Sequence, residues 1–225
     1  MSRIIVYRLW HHHDDSFVYM LFDYVCGGEL FSYLRSAGRF PLATAVFYAT
    51  EIISALAYLH SMSIVYRDVK PENLLLDRDG HLKITDFGFS KVLSDRNSNK
   101  HPSGFFNISF IFLLGILIYE MLAGHPPFFD ENPFGIYEKI LCGQYQFPRY
   151  IDGSARDLIK RLLVAERTRR LGAMKNGAED IKRHKLFRHI IWDDVYEKKT
   201  QPPIVPKVSY DGDTRNFDDY PEKDW

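Results

Sequence analysis

The chain has 225 residues, 46% hydrophobic and 15% aromatic, which is enough apolar material for one buried core. Lys plus Arg and Asp plus Glu both number 29, so the formal net charge is zero; that excludes a global basic field of the kind that drives bulk nucleic-acid binding. Cys26 and Cys142 are too few for a disulfide framework and stand at no metal-ligand spacing. The N-terminus has no signal-peptide layout, so a reducing setting in cytoplasm or nucleus, without membrane or nucleic-acid partners, is expected.

Residues 1–13 show no regular pattern, and His11, His12 and His13 read as an exposed loop, with a metal site as the sharper alternative. Phe17 to Tyr24 (FVYMLFDY) reads as a buried strand that ends at the turn signal Gly27-Gly28. Glu29 to Arg35 reads as a short helix. Leu42 to His60 reads as a long, largely buried helix, because Leu42, Val46, Ala49, Ile53 and Leu56 form one stripe and Ala45, Tyr48, Ile52, Ala55 and Leu59 a second. Ile64 to Asn73 reads as a loop. Leu74–Leu76 and Leu82–Ile84 are short strands around Asp77-Arg78-Asp79-Gly80, a turn with glycine at the tight position. No periodicity is visible from Asp86 to Ser109. Phe105 to Tyr119 is apolar but short of the roughly 20 residues of a spanning helix, and its Phe110–Leu122 part reads as a core helix closed by Gly124 and Pro126-Pro127. Further helices are expected near Gly135–Leu141, Ala155–Val164 and Glu179–His184, followed after Tyr196 by a polar, proline-bearing extended tail.

The chemistry is concentrated in Tyr66-Arg67-Asp68-Val69-Lys70-Pro71-Glu72-Asn73 and, beyond the two short strands, Asp86-Phe87-Gly88. An Asp can orient a hydroxyl and accept its proton. A Lys two residues on can neutralise a transferring phosphoryl group, and an Asn three further on can hold a metal ion through its amide oxygen. A second Asp with a chain-bending Gly completes a set of hard oxygen ligands suited to Mg²⁺. Phosphoryl transfer needs mainly positioning and charge stabilisation, which such groups supply.

YRDVKPEN resembles the catalytic loop of protein kinases, with Tyr66 where His is more usual, and DFG matches their metal-binding motif. The likeness extends to YMLFDYVCGGELFSYLRSAGRF, GILIYEMLAGHPPFFDENPFGIYEKIL, RTRRLGAMKNGAEDIKRHKLF and the tail FDDY, which together resemble the cAMP-dependent members of the AGC group. The resemblance implies Asp68 as catalytic base and Lys70 as the phosphate-contacting lysine, with Asn73 and Asp86 as metal ligands. It implies ATP and Mg²⁺ as cofactors. Around the nucleotide it places the backbone of Asp23 and Val25 at adenine and Glu29 at the ribose, with Glu72 and Leu75 beside them. Phe22 would be a bulky gatekeeper narrowing the back pocket, and Phe217 and Tyr220 would cover the adenine edge. Glu29, Glu72 and Glu120 match acidic positions that face arginines upstream of the phosphorylated Ser or Thr, a pairing that suits the planar guanidinium fork.

Three departures stand against full activity. The residues before Phe17 contain no Gly-rich phosphate loop, no lysine-bearing strand and no partner glutamate. Residues 94–109 (SDRNSNKHPSGFFNIS) replace the expected phosphorylatable Thr and Ala-Pro-Glu signature; Ser94, Ser98 and Ser103 lack the family context, and Arg170 would lose its acidic partner and be orphaned. Phe110 stands where the family has an Asp that holds the catalytic-loop backbone, as though Phe105–Leu114 were unrelated sequence joined to a normal helix. Altered splicing, a misjoined gene model or a decaying paralogue gives such a join.

The expected fold is therefore α+β, the helical C-terminal lobe of a protein kinase with an incomplete N-terminal lobe. Residues 1–24 would be a small-lobe remnant with the hinge strand, 25–190 the large lobe, and 191–225 an AGC-type tail. The expected activity is ATP-dependent phosphorylation of Ser or Thr in Arg-rich proteins, impaired in this chain. A cAMP-binding regulatory subunit is an expected partner. The competing reading is a non-catalytic module that presents Phe134–Leu141 and Ala155–Val164 to partners.

Overall fold

The computed structural model describes residues 3–66, 70–92, 104–173 and 176–219. Two strands, β1 (Arg8–His13) and β2 (Val18–Phe22), form an antiparallel hairpin. Then come α1 (Leu30–Ala37), α2 (Leu42–Ser61), β3 (Ile64–Val65), β4 (Leu74–Leu76), β5 (Leu82–Ile84) and β6 (Lys91–Val92). The remainder is helical: α3 (Gly104–Ala123), α4 (Pro133–Cys142), α5 (Gly153–Leu162), α6 (Ala178–Lys182) and α7 (Trp192–Tyr196). The strands pair β1–β2, β3–β6 and β4–β5, each pair antiparallel. Helices around small antiparallel sheets make the fold α+β, as expected.

The core is built on α2, α3 and α5. Both stripes of α2 are put to use: Ala45, Tyr48, Ala49, Ile52, Ile53, Ala55, Leu56 and Leu59 are all buried. By length and composition α2 could cross a membrane, but here its apolar faces are buried in protein. Helix α3 begins at Gly104, earlier than the sequence pattern indicated, and its stretch from Phe110 supplies buried Ile111, Leu114, Leu117, Ile118 and Met121. Gly115 lets α3 approach α5 closely, since a Cβ there would lie 2.9 Å from Leu162 Cβ and Leu163 Cδ2. On α5, Asp152 caps the N-terminus by accepting from Ser154 N and Ala155 N, and Ala155, Leu158, Ile159 and Leu162 face inward. The apolar side of α5 is therefore core, which corrects its expected role as a docking surface.

The N-terminal region departs most from expectation. Ile4, Ile5 and Val6 are buried against β5, with Val6 N donating to Ile84 O at 3.0 Å and Ile84 N to Ile4 O at 2.7 Å. Three apolar residues are too short a run to announce themselves as a pattern. Arg8–His13 is a strand and not an irregular loop, because it finds β2 as a partner. β2 itself is a strand but is not buried: Val18, Tyr19, Met20, Leu21 and Phe22 are 70, 44, 55, 55 and 45% exposed. Among the described residues no second layer covers either face of the hairpin.

The β4–β5 turn is tied to distant segments. Gly80 adopts φ +94°, and any Cβ there would collide with the Ile204 carbonyl. Tyr48 Oη donates to Gly80 O, and Lys198 Nζ bonds Asp77 Oδ2 at 2.6 Å. Buried Glu51 of α2 pairs with His81 Nδ1 at 2.6 Å and accepts from Leu82 N at 2.7 Å. These contacts fix the hairpin that leads into Asp86.

Candidate active site

The segment Val25–Glu29 zips against β4: Gly27 N donates to Leu76 O at 3.0 Å and Leu76 N to Gly28 O at 2.9 Å. Glu29 forms an isolated bridge with Leu75 and stands at the N-cap of α1 without a side-chain capping bond. Val25 is buried, Glu29 and Leu75 are half-buried, and Asp23 is exposed at the end of β2. Val25, Glu29 and Leu75 thus share the junction between hinge and β4, where the resemblance placed the nucleotide. The tail returns to the same place. Asn216 Nδ2 donates to Cys26 O at 3.0 Å, Tyr24 Oη donates to Asp213 O at 3.0 Å, and the Phe217 ring lies 6.1 Å from that of Tyr24. Buried Asp213 organises this return by accepting from Ser209 N, Arg215 N and Arg215 Nε, which hold its carboxyl below the usual range. Asp213 and Asn216 were not singled out from sequence; the polar DGDTRN run signals a turn but not its target. Phe22 lies at the end of β2 on the exposed hairpin and is itself exposed.

The second half of the site lies where β4 and β5 meet. Asn73 is buried, its N donates to Lys70 O at 3.0 Å, and its carbonyl accepts from Thr85 N at 3.0 Å. That bond sets Asp86 two residues beyond the ladder. Asp86 takes φ +57°, a left-handed conformation uncommon for a non-glycine residue, and its Oδ1 accepts from Gly88 N at 3.1 Å. Buried Tyr66 braces this corner: its hydroxyl donates to Thr85 O at 2.7 Å and its ring lies 4.9 Å from Phe87. Phe110 is buried with its ring 6.4 Å from Tyr66, so the position expected to carry a carboxylate makes an aromatic contact instead. An amide oxygen and a carboxylate on adjoining strand ends are hard donors that fit Mg²⁺. Lys70 is half-buried at the entry to the Pro71–Asn73 turn. Asp68 and Tyr220 lie outside the described residues, as do Ser94, Ser98 and Ser103.

Glu72 and Glu120 come together in a cleft of about 470 Å³, lined also by Phe31, Leu34, Arg35, Gly38, Pro71 and Gly124. Burial raises the Glu120 carboxyl, and nearby Glu72 raises it further, against the lowering by Arg35 and His125. Glu29 does not line this cleft; it stands at the junction with β4, so the structure places the three acidic residues in two locations. Arg170 also departs from expectation. It is buried yet not orphaned: its Nε donates to Val164 O at 3.0 Å and its guanidinium lies 4.8 Å from the Phe112 ring centre. Burial lowers its pKa to about 10, which leaves it charged at neutral pH.

Comparison with known proteins agrees with this architecture. The protein kinase domain family model matches residues 2–107. The chain is 60% identical over 228 residues to cAMP-dependent protein kinase catalytic subunit 3 of Drosophila melanogaster, covering 96% of this chain and 39% of that protein. It is 56% identical over 233 residues to the human cAMP-dependent protein kinase catalytic subunit PRKX, covering 98% of this chain and 65% of that protein. A Dictyostelium discoideum cAMP-dependent protein kinase catalytic subunit is 48% identical over 94% of this chain and 34% of that protein. The chain thus spans less than two thirds of the length of these curated relatives. With the hinge, the Asn73–Asp86 corner and the acidic cleft arranged on a helical lobe, the chain has a protein kinase-like fold and resembles cAMP-dependent protein kinase catalytic subunits.

Proposed function

We propose that the chain carries the catalytic lobe of an ATP-dependent serine/threonine kinase acting on Arg-rich proteins, and that these 225 residues transfer phosphate poorly. In this reading residues 25–190 are the lobe and 191–225 the tail that closes the adenine edge through Phe217 and Tyr220. Asn73 and Asp86 hold Mg²⁺, which neutralises charge on the nucleotide phosphates. Asp68 orients the substrate hydroxyl and takes its proton, Lys70 contacts the transferred group, and Val25, Glu29 and Leu75 hold the nucleoside. The observation that carries the reading is the placement of Glu72 one residue from the metal ligand Asn73 and in one cleft with Glu120. A guanidinium entering that cleft offsets the repulsion between the two carboxylates and fixes a peptide beside the metal corner.

Poor transfer follows from two features. Phe110 meets Tyr66 by ring contact, and its side chain has no carboxylate to offer where the resemblance implies an Asp. The nucleotide side of the hinge ends in an exposed hairpin, where water screens every phosphate contact. The test is binding of a fluorescent Arg-rich Ser peptide. Glu72→Gln with Glu120→Gln should weaken it by about tenfold or more, since each charge-assisted bond contributes about 1.5–3 kcal/mol. Unchanged binding overturns the substrate assignment.

A second reading, a non-catalytic module, is favoured by one observation. Phe134, Tyr137 and Leu141 of α4 are 79, 66 and 76% exposed along one side of the helix. A cAMP-binding regulatory subunit is the partner we propose for that surface. Loss of such a complex in Tyr137→Ala, with peptide binding intact, would favour this role.

A further inference from the structure

The kinase reading leaves His11, His12 and His13 without a role, and the hairpin separates them into two environments. In the β1–β2 register His11 faces Met20, His12 faces Tyr19 and His13 faces Val18. Alternation along each strand puts His11, His13, Val18 and Met20 on one face. Trp10, His12, Phe17 and Tyr19 occupy the other, with ring centres 5.6 Å apart for Trp10–His12, 6.2 Å for His12–Tyr19 and 6.3 Å for Phe17–Tyr19. His12 is thereby occupied in an aromatic stack. The opposite face presents two imidazoles and a thioether, all exposed.

We propose that His11, His13 and Met20 form a binding site for a soft monovalent metal ion of the copper(I) class. Directly paired side chains on an antiparallel ladder have Cβ atoms about 5 Å apart, and same-face neighbours along a strand are about 7 Å apart. Long side chains at such spacings can converge on one ion. The His13 ring is stacked on that of His12, with ring centres 6.3 Å apart and planes 19° apart; an exposed side chain changes rotamer in picoseconds to nanoseconds, so binding would draw it from that stack onto the ion. The donor chemistry selects the metal. Thioether and imidazole are soft to borderline and uncharged, which suits Cu(I) and disfavours Mg²⁺ or Ca²⁺. The neighbouring carboxylate of Asp14 is engaged elsewhere, accepting from Ser16 N, Phe17 N and Tyr19 Oη. No group of three or more His, Cys, Asp or Glu among the described residues could hold a metal ion, and the proposed site depends on the Met20 thioether as its third donor. The site is independent of the phosphoryl-transfer reading, because neither its ligands nor its ion belong to the nucleotide corner.

The test is an anaerobic Cu(I) titration of the full chain against the chromophoric chelator bicinchoninate. Exposed Cys142 would compete for the ion, so Cys142→Ser is the background for every variant. The expected result is one equivalent of Cu(I) withdrawn from the chelator, with affinity falling by about tenfold or more in His11→Ala and in Met20→Leu. His12→Ala should leave the affinity unchanged. No withdrawal from the chelator overturns the site. So does an equal loss in His12→Ala, which would mark nonspecific capture by a histidine run, and so does full affinity in Met20→Leu.

Discussion

Val18–Phe22 in β2 and Ile111–Met121 in α3 are comparably apolar, yet every residue of the first is exposed while Ile111, Leu114, Leu117, Ile118 and Met121 of the second are buried. Both segments satisfy their backbone hydrogen bonds, one within a helix and one across a hairpin. What separates them is the second layer. Helix α3 has α2 and α5 beside it, and Gly115 permits the close approach to α5. Among the described residues the hairpin has nothing stacked on either face. Apolar composition states that a segment gains from burial; it does not supply the surface that buries it.

The contrast predicts opposite sensitivities. Leu114→Ala, at a fully buried position, should cost about 2–5 kcal/mol in urea unfolding. A smaller loss would mean that α3 is not the centre of the core. Gly115→Ala should cost about 1–3 kcal/mol by overpacking against Leu162 and Leu163, despite the better helix propensity of Ala. At the other extreme, Leu21→Ala on the hairpin should change unfolding by less than about 0.5 kcal/mol, and a large effect would show that the hairpin is covered in solution.

Acid sensitivity should arise in the helical lobe, at α5 and the segment after α6. His184 Nδ1 accepts from Leu186 N and its Nε2 bonds Asp157 Oδ2 at 3.0 Å, an arrangement that requires a neutral ring. Burial holds its pKa below the ordinary value, although Asp157 pulls the other way. The unfolded chain therefore binds this proton more readily, and stability is lost as pH falls below about 6.5. Asp157, held down to about 2 chiefly by the His184 bond, adds a second loss between about pH 4 and pH 2. That loss is worth about 1 kcal/mol once discounted for a side chain about one third exposed. His184→Gln should flatten the upper limb of a stability-against-pH curve; an unchanged limb would place the titrating group elsewhere.

Legibility from sequence followed the same division. The two stripes of α2 and the Asp77–Gly80 turn are local periodicities, and they led to the elements the structure contains. Asn73 and Asp86 were visible as parts of two motifs, and the structure adds that Thr85 and Tyr66 set the corner they share, through the Thr85 bond to Asn73 and the Tyr66 hydroxyl bond to Thr85. Contacts between segments far apart in the chain left no local trace. Ile4–Val6 packing on β5, Glu51 pairing with His81, Arg170 satisfied by Val164 and Phe112, and the tail return through Asn216 all depend on tertiary neighbours. The hairpin misled for the same reason: FVYMLFDY has the composition of a buried strand, but its exposure is decided by what lies against it.

The most direct test of the account is phosphoryl transfer from Mg²⁺-ATP to an Arg-rich Ser peptide by the full chain, with Asp86→Ala as the paired control. The account predicts transfer indistinguishable from that control, while the peptide still binds in a manner that depends on Glu72 and Glu120. Robust turnover that Asp86→Ala abolishes would contradict it, and would show that the corner formed by Asn73 and Asp86 works without the supports that Phe110 and the exposed hairpin fail to provide.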